Sequence, residues 1–144
     1  MNNFRVKLAE GIESEDRLLK RIIDKGGELI DRPLPNQCFT GYDLRVKNKF
    51  NREMTIEVKR DNKSNNNVYI EHSYKNQPSG ILISEAEYYF IDKPALGKFF
   101  YIETIELKDW IEWYKEHNRL LSVTCLSGFT EGYLVPVSIL KLVM

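Results

Sequence analysis

The chemistry in this 144-residue chain concentrates on three side chains, Asp43, Glu57 and Lys59. Glu57 and Lys59 stand two apart in Met54-Thr55-Ile56-Glu57-Val58-Lys59, where apolar and polar residues alternate. Successive side chains of a strand point to opposite faces, so Glu57 and Lys59 share one face while Ile56 and Val58 share the other. Tyr42-Asp43-Leu44-Arg45-Val46-Lys47 alternates likewise, with Asp43 opposed to Leu44. If the two stretches pair across the short Asn48-Lys49-Phe50-Asn51 turn, Asp43, Glu57 and Lys59 converge. Two carboxylates beside one ammonium suit Mg²⁺, which binds through one or two carboxylates, several waters and substrate phosphate oxygens. The lysine can orient an attacking water and meet charge developing in the transition state. The chemistry implied is metal-assisted hydrolysis of a phosphodiester.

The elements that must position these residues follow from periodicity. Leu18, Leu19, Ile22 and Ile23 recur at helical spacing, which predicts a first helix from Ser14 to about Lys25. Ser14 suits the N-cap, Glu15 and Asp16 the first turn, and Gly26-Gly27 the stop. The two alternating stretches form an antiparallel pair, and a third strand from Val68 to about Tyr74 follows the turn-rich loop Asp61 to Asn67. Ser84 and Glu87 read as a capping box, which predicts a second helix from Glu85 towards Ile91. Phe99 to Ile102 is a buried strand, and Lys108 to about Asn118 a third helix. The expected fold is α/β (α+β), one domain over residues 1–144, with a mixed β-sheet flanked by helices. Its expected order is α-β-β-β-α-β-α, ending in a short β-containing tail from Leu121.

An aspartate followed across a hairpin by Glu-x-Lys, after a helix, resembles the PD-(D/E)XK nuclease superfamily, in which those three residues form the catalytic core. Here they stand in Gly41-Tyr42-Asp43-Leu44 and Ile56-Glu57-Val58-Lys59, with Tyr42 where many members have proline. Gly11 followed by Glu15 is similar to the helical glutamate of the Holliday-junction-resolvase branch and of phage-type nucleases. Glu15 also shares a helix face with Leu18, Leu19 and Ile22, an unusual place for a carboxylate. Segments around Val68-Tyr69-Ile70-Glu71, Pro78-Ser79-Gly80-Ile81, Ser84-Glu85-Ala86-Glu87-Tyr88 and Tyr133-Leu134-Val135-Pro136 resemble blocks of phage-type members. Glu87 falls where many relatives carry aspartate, and no role passes to it. The resemblance implies a restriction-endonuclease-like core and an Mg²⁺-dependent endodeoxyribonuclease in which Mn²⁺ can substitute. It also implies metal ligands Asp43, Glu57 and the Val58 carbonyl, and catalytic residues Asp43, Glu57, Lys59 and Glu15.

Charge bears on the partner. The chain carries 21 Lys and Arg against 21 Asp and Glu, so no global field advertises a polyanion. Between Arg32 and Lys75, however, nine basic residues face five acidic ones, whereas from Glu85 to Glu116 four basic residues face eight acidic. DNA is therefore expected on the hairpin side, through Arg45, Lys47, Lys49, Arg60, Lys63 and Lys75. The plainer reading of those cations is that they keep exposed strands soluble. Glu71 is equally an extra polar partner of the site or a surface charge. His72, His117, Trp110, Trp113 and Tyr114 read as structural, and Cys38 and Cys125 as ordinary thiols without zinc spacing. No long apolar stretch or apolar leader is present, so the expectation is no membrane partner and a cytoplasmic location, with a homodimer possible if two strands are cut. A nucleic-acid-binding protein without catalysis, and an interaction module without nucleic acid, are the competing classes.

Overall fold

Helix α1 spans Asn3–Asp24 in a computed structural model that describes residues 3–34, 41–124 and 128–143. It begins about three turns before Ser14, because the preceding residues are mostly good helix formers broken only by Gly11. Ser14 is therefore no N-cap: it is fully buried in the helix, and its hydroxyl donates to Asp92 Oδ2 at 2.7 Å. The predicted stop is observed. Gly26 takes φ +92°, and the Gly27 amide returns to the Ile22 carbonyl at 2.9 Å, closing the last turn.

Ten strands follow among the described residues: β1 Glu28–Asp31, β2 Leu44–Lys47, β3 Glu53–Arg60, β4 Asn67–Tyr74, β5 Gln77–Pro78, β6 Tyr88–Lys93, β7 Lys98–Glu103, β8 Ser122–Thr124, β9 Thr130–Pro136 and β10 Lys141–Leu142. Helix α2, Thr104–Glu116, lies between β7 and β8. Six strands make one sheet in the order β1-β2-β3-β6-β7-β10, in which β3 and β6 are parallel and all other neighbours antiparallel. The order β5-β4-β9-β8 makes a second, antiparallel sheet. The fold is mixed α+β, and among the described residues no helix is long and apolar enough to cross a membrane.

The predicted helix from Glu85 towards Ile91 is instead β6. Tyr88-Tyr89-Phe90-Ile91 is rich in aromatic and β-branched residues, and β6 runs between β3 and β7 with Tyr89, Ile91, Asp92 and Lys93 buried. Ser84 makes only a local turn, accepting the Ala86 amide at 3.3 Å. The connection between the parallel strands β3 and β6 consequently contains strands of the second sheet rather than an α-helix. The observed order is α-β-β-β-β-β-β-β-α-β-β-β, and the expected α-β-β-β-α-β-α order does not hold.

Strand alternation divides the core in two. On one face of the large sheet Leu44, Val46, Ile56, Val58 and Phe99 pack with Leu18, Leu19 and Ile22 of α1. On the other, Tyr89, Ile91 and Ile102 meet Val68 and Ile70 of β4, Tyr133 and Val135 of β9, and Leu107 and Ile111 of α2. Burying the larger of these side chains contributes roughly 1.5–3 kcal/mol each. Two ionic contacts tie the layers together. Arg17 and Ser14 of α1 meet Asp92 on β6, while Lys93, with no exposed surface, reaches Asp61 Oδ1 at 3.1 Å and the Asn67 carbonyl at 2.7 Å.

Candidate active site

The β2–β3 register pairs Leu44 with Ile56, so Asp43, one residue before β2, falls opposite Glu57. Two hydrogen bonds fix it: its amide donates to the Ile56 carbonyl at 2.9 Å, and its Oδ2 accepts the Val58 amide at 2.8 Å. The N–H and C=O of one strand residue point to the same side. The Val58 carbonyl therefore faces the edge that Asp43 occupies.

Glu57 and Lys59 project to one face, with Lys59 Nζ 3.3 Å from Glu57 Oε1. Only 14% of the Glu57 side chain is exposed, against 36% for Lys59, and burial is the largest influence on both charged ends. Burial pushes the Glu57 carboxyl from 4.5 to about 7. Lys59 opposes the rise, and the charge of Asp43 together with a carboxyl–carboxyl hydrogen bond to it supports the rise. Burial works to lower the Lys59 pKa, but Glu57, Tyr89, Asp43 and Glu71 outweigh it and raise it, keeping the ammonium charged.

Glu15 approaches Asp43 from α1. Its side chain is 20% exposed and its pKa is pushed up to about 7, first by burial and then by the Asp43 charge, against the Arg32 guanidinium. Arg32 stands 3.1 Å from Glu15 Oε1 and 2.7 Å from Asp16 Oδ1, which holds the Glu15 carboxyl in place after β1. Asp43 is thus the hub: one neighbouring carboxyl comes from β3 and another from α1.

Three participants were not assigned from sequence. Tyr89 lies beside Glu57 in the β3–β6 ladder and is 1% exposed; burial raises its pKa, and the charges of Lys59 and Glu57 both act on its hydroxyl. Glu71, left open between partner and surface charge, reaches the site from β4 and acts on Lys59. Gly80 packs directly against the β4 backbone here: at φ +52°, an added Cβ would stand 2.1 Å from the Glu71 carbonyl. Arg32 is the third. In sequence Tyr89 reads simply as core, which its burial bears out, strand alternation left Glu71 open between the two roles, and nothing assigned Arg32 to the site.

Two hard carboxylate donors that oppose each other's ionisation, with a carbonyl at the same edge, fit a Mg²⁺ or Mn²⁺ ion that retains waters. They do not make an all-protein cage. Among the described residues no three His, Cys, Asp or Glu side chains stand together as a ready-made ligand cluster.

The basic residues expected to face DNA are scattered. Arg45 pairs with Glu53 at 2.7 Å and Lys47 with Glu28 at 3.9 Å. Arg60 is a strut against α1, 3.2 Å from Glu10 and 3.6 Å from Glu13. Lys49 lies over the Phe50 ring, Lys75 over the Tyr74 and Phe129 rings, and Lys63 sits in the exposed loop after β3. His72 bonds Ser73 and Ser122, and His117 meets the Trp113 carbonyl, so both serve local structure. Cys38 and Cys125 lie outside the described residues. No protein-family model, curated protein or solved structure matches the chain.

Proposed function

We propose that the chain is a metal-dependent DNA endonuclease working in the manner of the PD-(D/E)XK superfamily. The observation that carries this reading is the meeting of Asp43, Glu57 and Lys59 across the β2–β3 hairpin. Asp43 and Glu57 would hold Mg²⁺ or Mn²⁺ together with the Val58 carbonyl. The bound ion supplies an acidified water and offsets charge on the phosphoryl oxygens.

The remaining work falls to the protein. Lys59, kept charged beside Glu57, directs the attacking water and meets charge on the scissile phosphate. Glu15, its carboxyl pushed up by burial and by the Asp43 charge, serves as an accessory acid beside Asp43. Tyr89 and Glu71, from β6 and β4, act electrostatically to keep Lys59 charged. The substrate class is DNA, and a homodimer would serve where both strands must be severed.

The test is cleavage of linear, flapped and four-way-junction DNA in Mg²⁺ or Mn²⁺, with binding measured in Ca²⁺. Wild-type protein should cut at least one substrate. Lys59→Ala should lose cleavage by orders of magnitude while binding changes modestly, because both metal ligands remain. Wild-type protein that binds all three substrates and cuts none would replace this reading with a non-catalytic DNA-binding protein.

A further inference from the structure

At the end of the β2–β3 hairpin remote from Asp43, Phe50 is 79% exposed, more than any other large apolar side chain among the described residues. A free aromatic ring at a loop tip is ordinarily mobile, but this turn is braced. The Asn48 side-chain oxygen accepts both the Phe50 amide at 2.9 Å and the Arg52 amide at 3.1 Å. The Asn48 amide also donates to the Arg52 carbonyl, and Asn51 takes φ +70° to complete the turn. Beneath the ring lies an open cleft of about 510 Å³ between the end of α1 and the hairpin, with Ile22 and Met54 as its apolar floor. Lys25 and Lys49 line it, and no Asp or Glu among the described residues does. Glycines let these walls approach: an added Cβ at Gly26 would press on Lys49 Cβ at 3.2 Å, and one at Gly27 would meet the Lys47 carbonyl at 2.9 Å.

We infer that this cleft binds one unpaired nucleobase of the nucleic-acid strand, stacked on Phe50, with the adjoining phosphates on Lys25 and Lys49. Charge complementarity selects the occupant. An apolar floor and the Phe50 face not covered by Lys49 accept the face of any base, and the Lys25 and Lys49 ammonium groups, neither paired with a carboxylate in the cleft, accept the flanking phosphates. The volume falls in the range of small-ligand pockets, roughly 300–1,000 Å³. From Asp43 to Asn48 the strand advances about 17 Å at roughly 3.3 Å per residue. That matches about five nucleotides of B-form strand at 3.4 Å each. The inference rests on the nucleic-acid reading above and narrows it to substrates with an unpaired base near the cut.

The test uses the full chain with Asp43→Asn to prevent cutting. Binding to single-stranded, flapped and blunt duplex DNA is measured for Phe50→Ala, Phe50→Trp and Lys49→Ala, with iodouracil photocrosslinks mapped by mass spectrometry. Phe50→Ala should weaken single-stranded and flapped DNA roughly 5- to 100-fold and leave blunt duplex nearly unchanged. Phe50→Trp should retain binding, and the crosslink should fall on Phe50. Equal binding by Phe50→Ala on all three substrates overturns the inference, as does a loss of self-association in that variant with DNA binding intact. Such a loss would make the tip a contact between copies. If wild-type protein cuts DNA while Phe50→Ala binds normally, this inference fails and the nuclease reading stands. If binding depends on Phe50 but wild-type protein never cuts, the reverse holds.

Discussion

Glu57→Gln should stabilise the protein in metal-free buffer at pH 8 while removing its response to divalent cations. The folded structure holds the Glu57 carboxyl at about 7 instead of 4.5, chiefly by burial. A raised carboxyl pKa means that the fold prefers the protonated form. The associated stability is complete below pH 4.5 and is lost as pH rises through 7. At about 1.36 kcal/mol per pH unit, the distance from 4.5 to about 7 corresponds to roughly 3 kcal/mol at pH 8. Glutamine mimics the protonated carboxyl and can still donate to Asp43. What it forfeits, the 3.3 Å ion pair with Lys59, is already included in that figure, because the Lys59 charge opposes the rise. Burial wins, and the net gain is about 2–3 kcal/mol. For a domain of this size it appears as a rise of roughly 4–12 °C in Tm. Calorimetry in EDTA at pH 8 and pH 5 measures it: the two proteins should differ at pH 8 and converge at pH 5. Addition of Ca²⁺ should raise the wild-type Tm at pH 8 far more than that of the variant. A variant less stable than wild type at pH 8 in EDTA would refute the argument, because Glu57 would then stabilise the fold through its charge.

The other expectations address single contacts. Asp43→Asn should lower the Glu15 titration midpoint below about 7 by removing a neighbouring negative charge, and Arg32→Ala should raise it; carboxyl ¹³C NMR resolves both directions. Tyr89→Phe should reduce kcat with little change in KM, and in a Lys59→Ala background it should have no further effect, as steady-state kinetics on the preferred DNA would show. Lys93→Ala should destabilise the chain by about 3–5 kcal/mol in urea unfolding, since it strips the buried Asp61 carboxylate of its cation.

The site was legible in sequence where its geometry is local. Alternation and the Asn48 turn located the β2–β3 hairpin, and the hairpin alone sets Asp43 opposite Glu57. Glu15 is different: no spacing rule brings α1 to Asp43, and only likeness to a family suggested it. β6 was misread because Ser84 and Glu87 satisfy a local capping pattern, whereas its true state is set by burial between two strands distant in sequence. β1 gave no signal, since all four of its residues are exposed and none alternates. Ser14 looked like a cap because a serine before two acidic residues is what a helix start requires. Its actual partner, Asp92, is remote in sequence.

The parallel pairing of β3 with β6 also governs how the chain can fold. The strand bearing Glu57 and Lys59 gains its second neighbour only after the chain has left the large sheet, laid down β4 and returned. β4 must itself wait for β9, with Asn67 pairing as far along as Pro136. Neither sheet can be completed from a contiguous piece of chain, so both ladders close late and together. Such long-range closure predicts slow folding compared with helical domains of equal length. A fragment ending at α2 would leave Val68 and Ile70 of β4 without their β9 partners, and with them the support that carries Glu71 to Lys59. During synthesis the hairpin emerges early, but β3 acquires its second strand neighbour only once β6 has arrived.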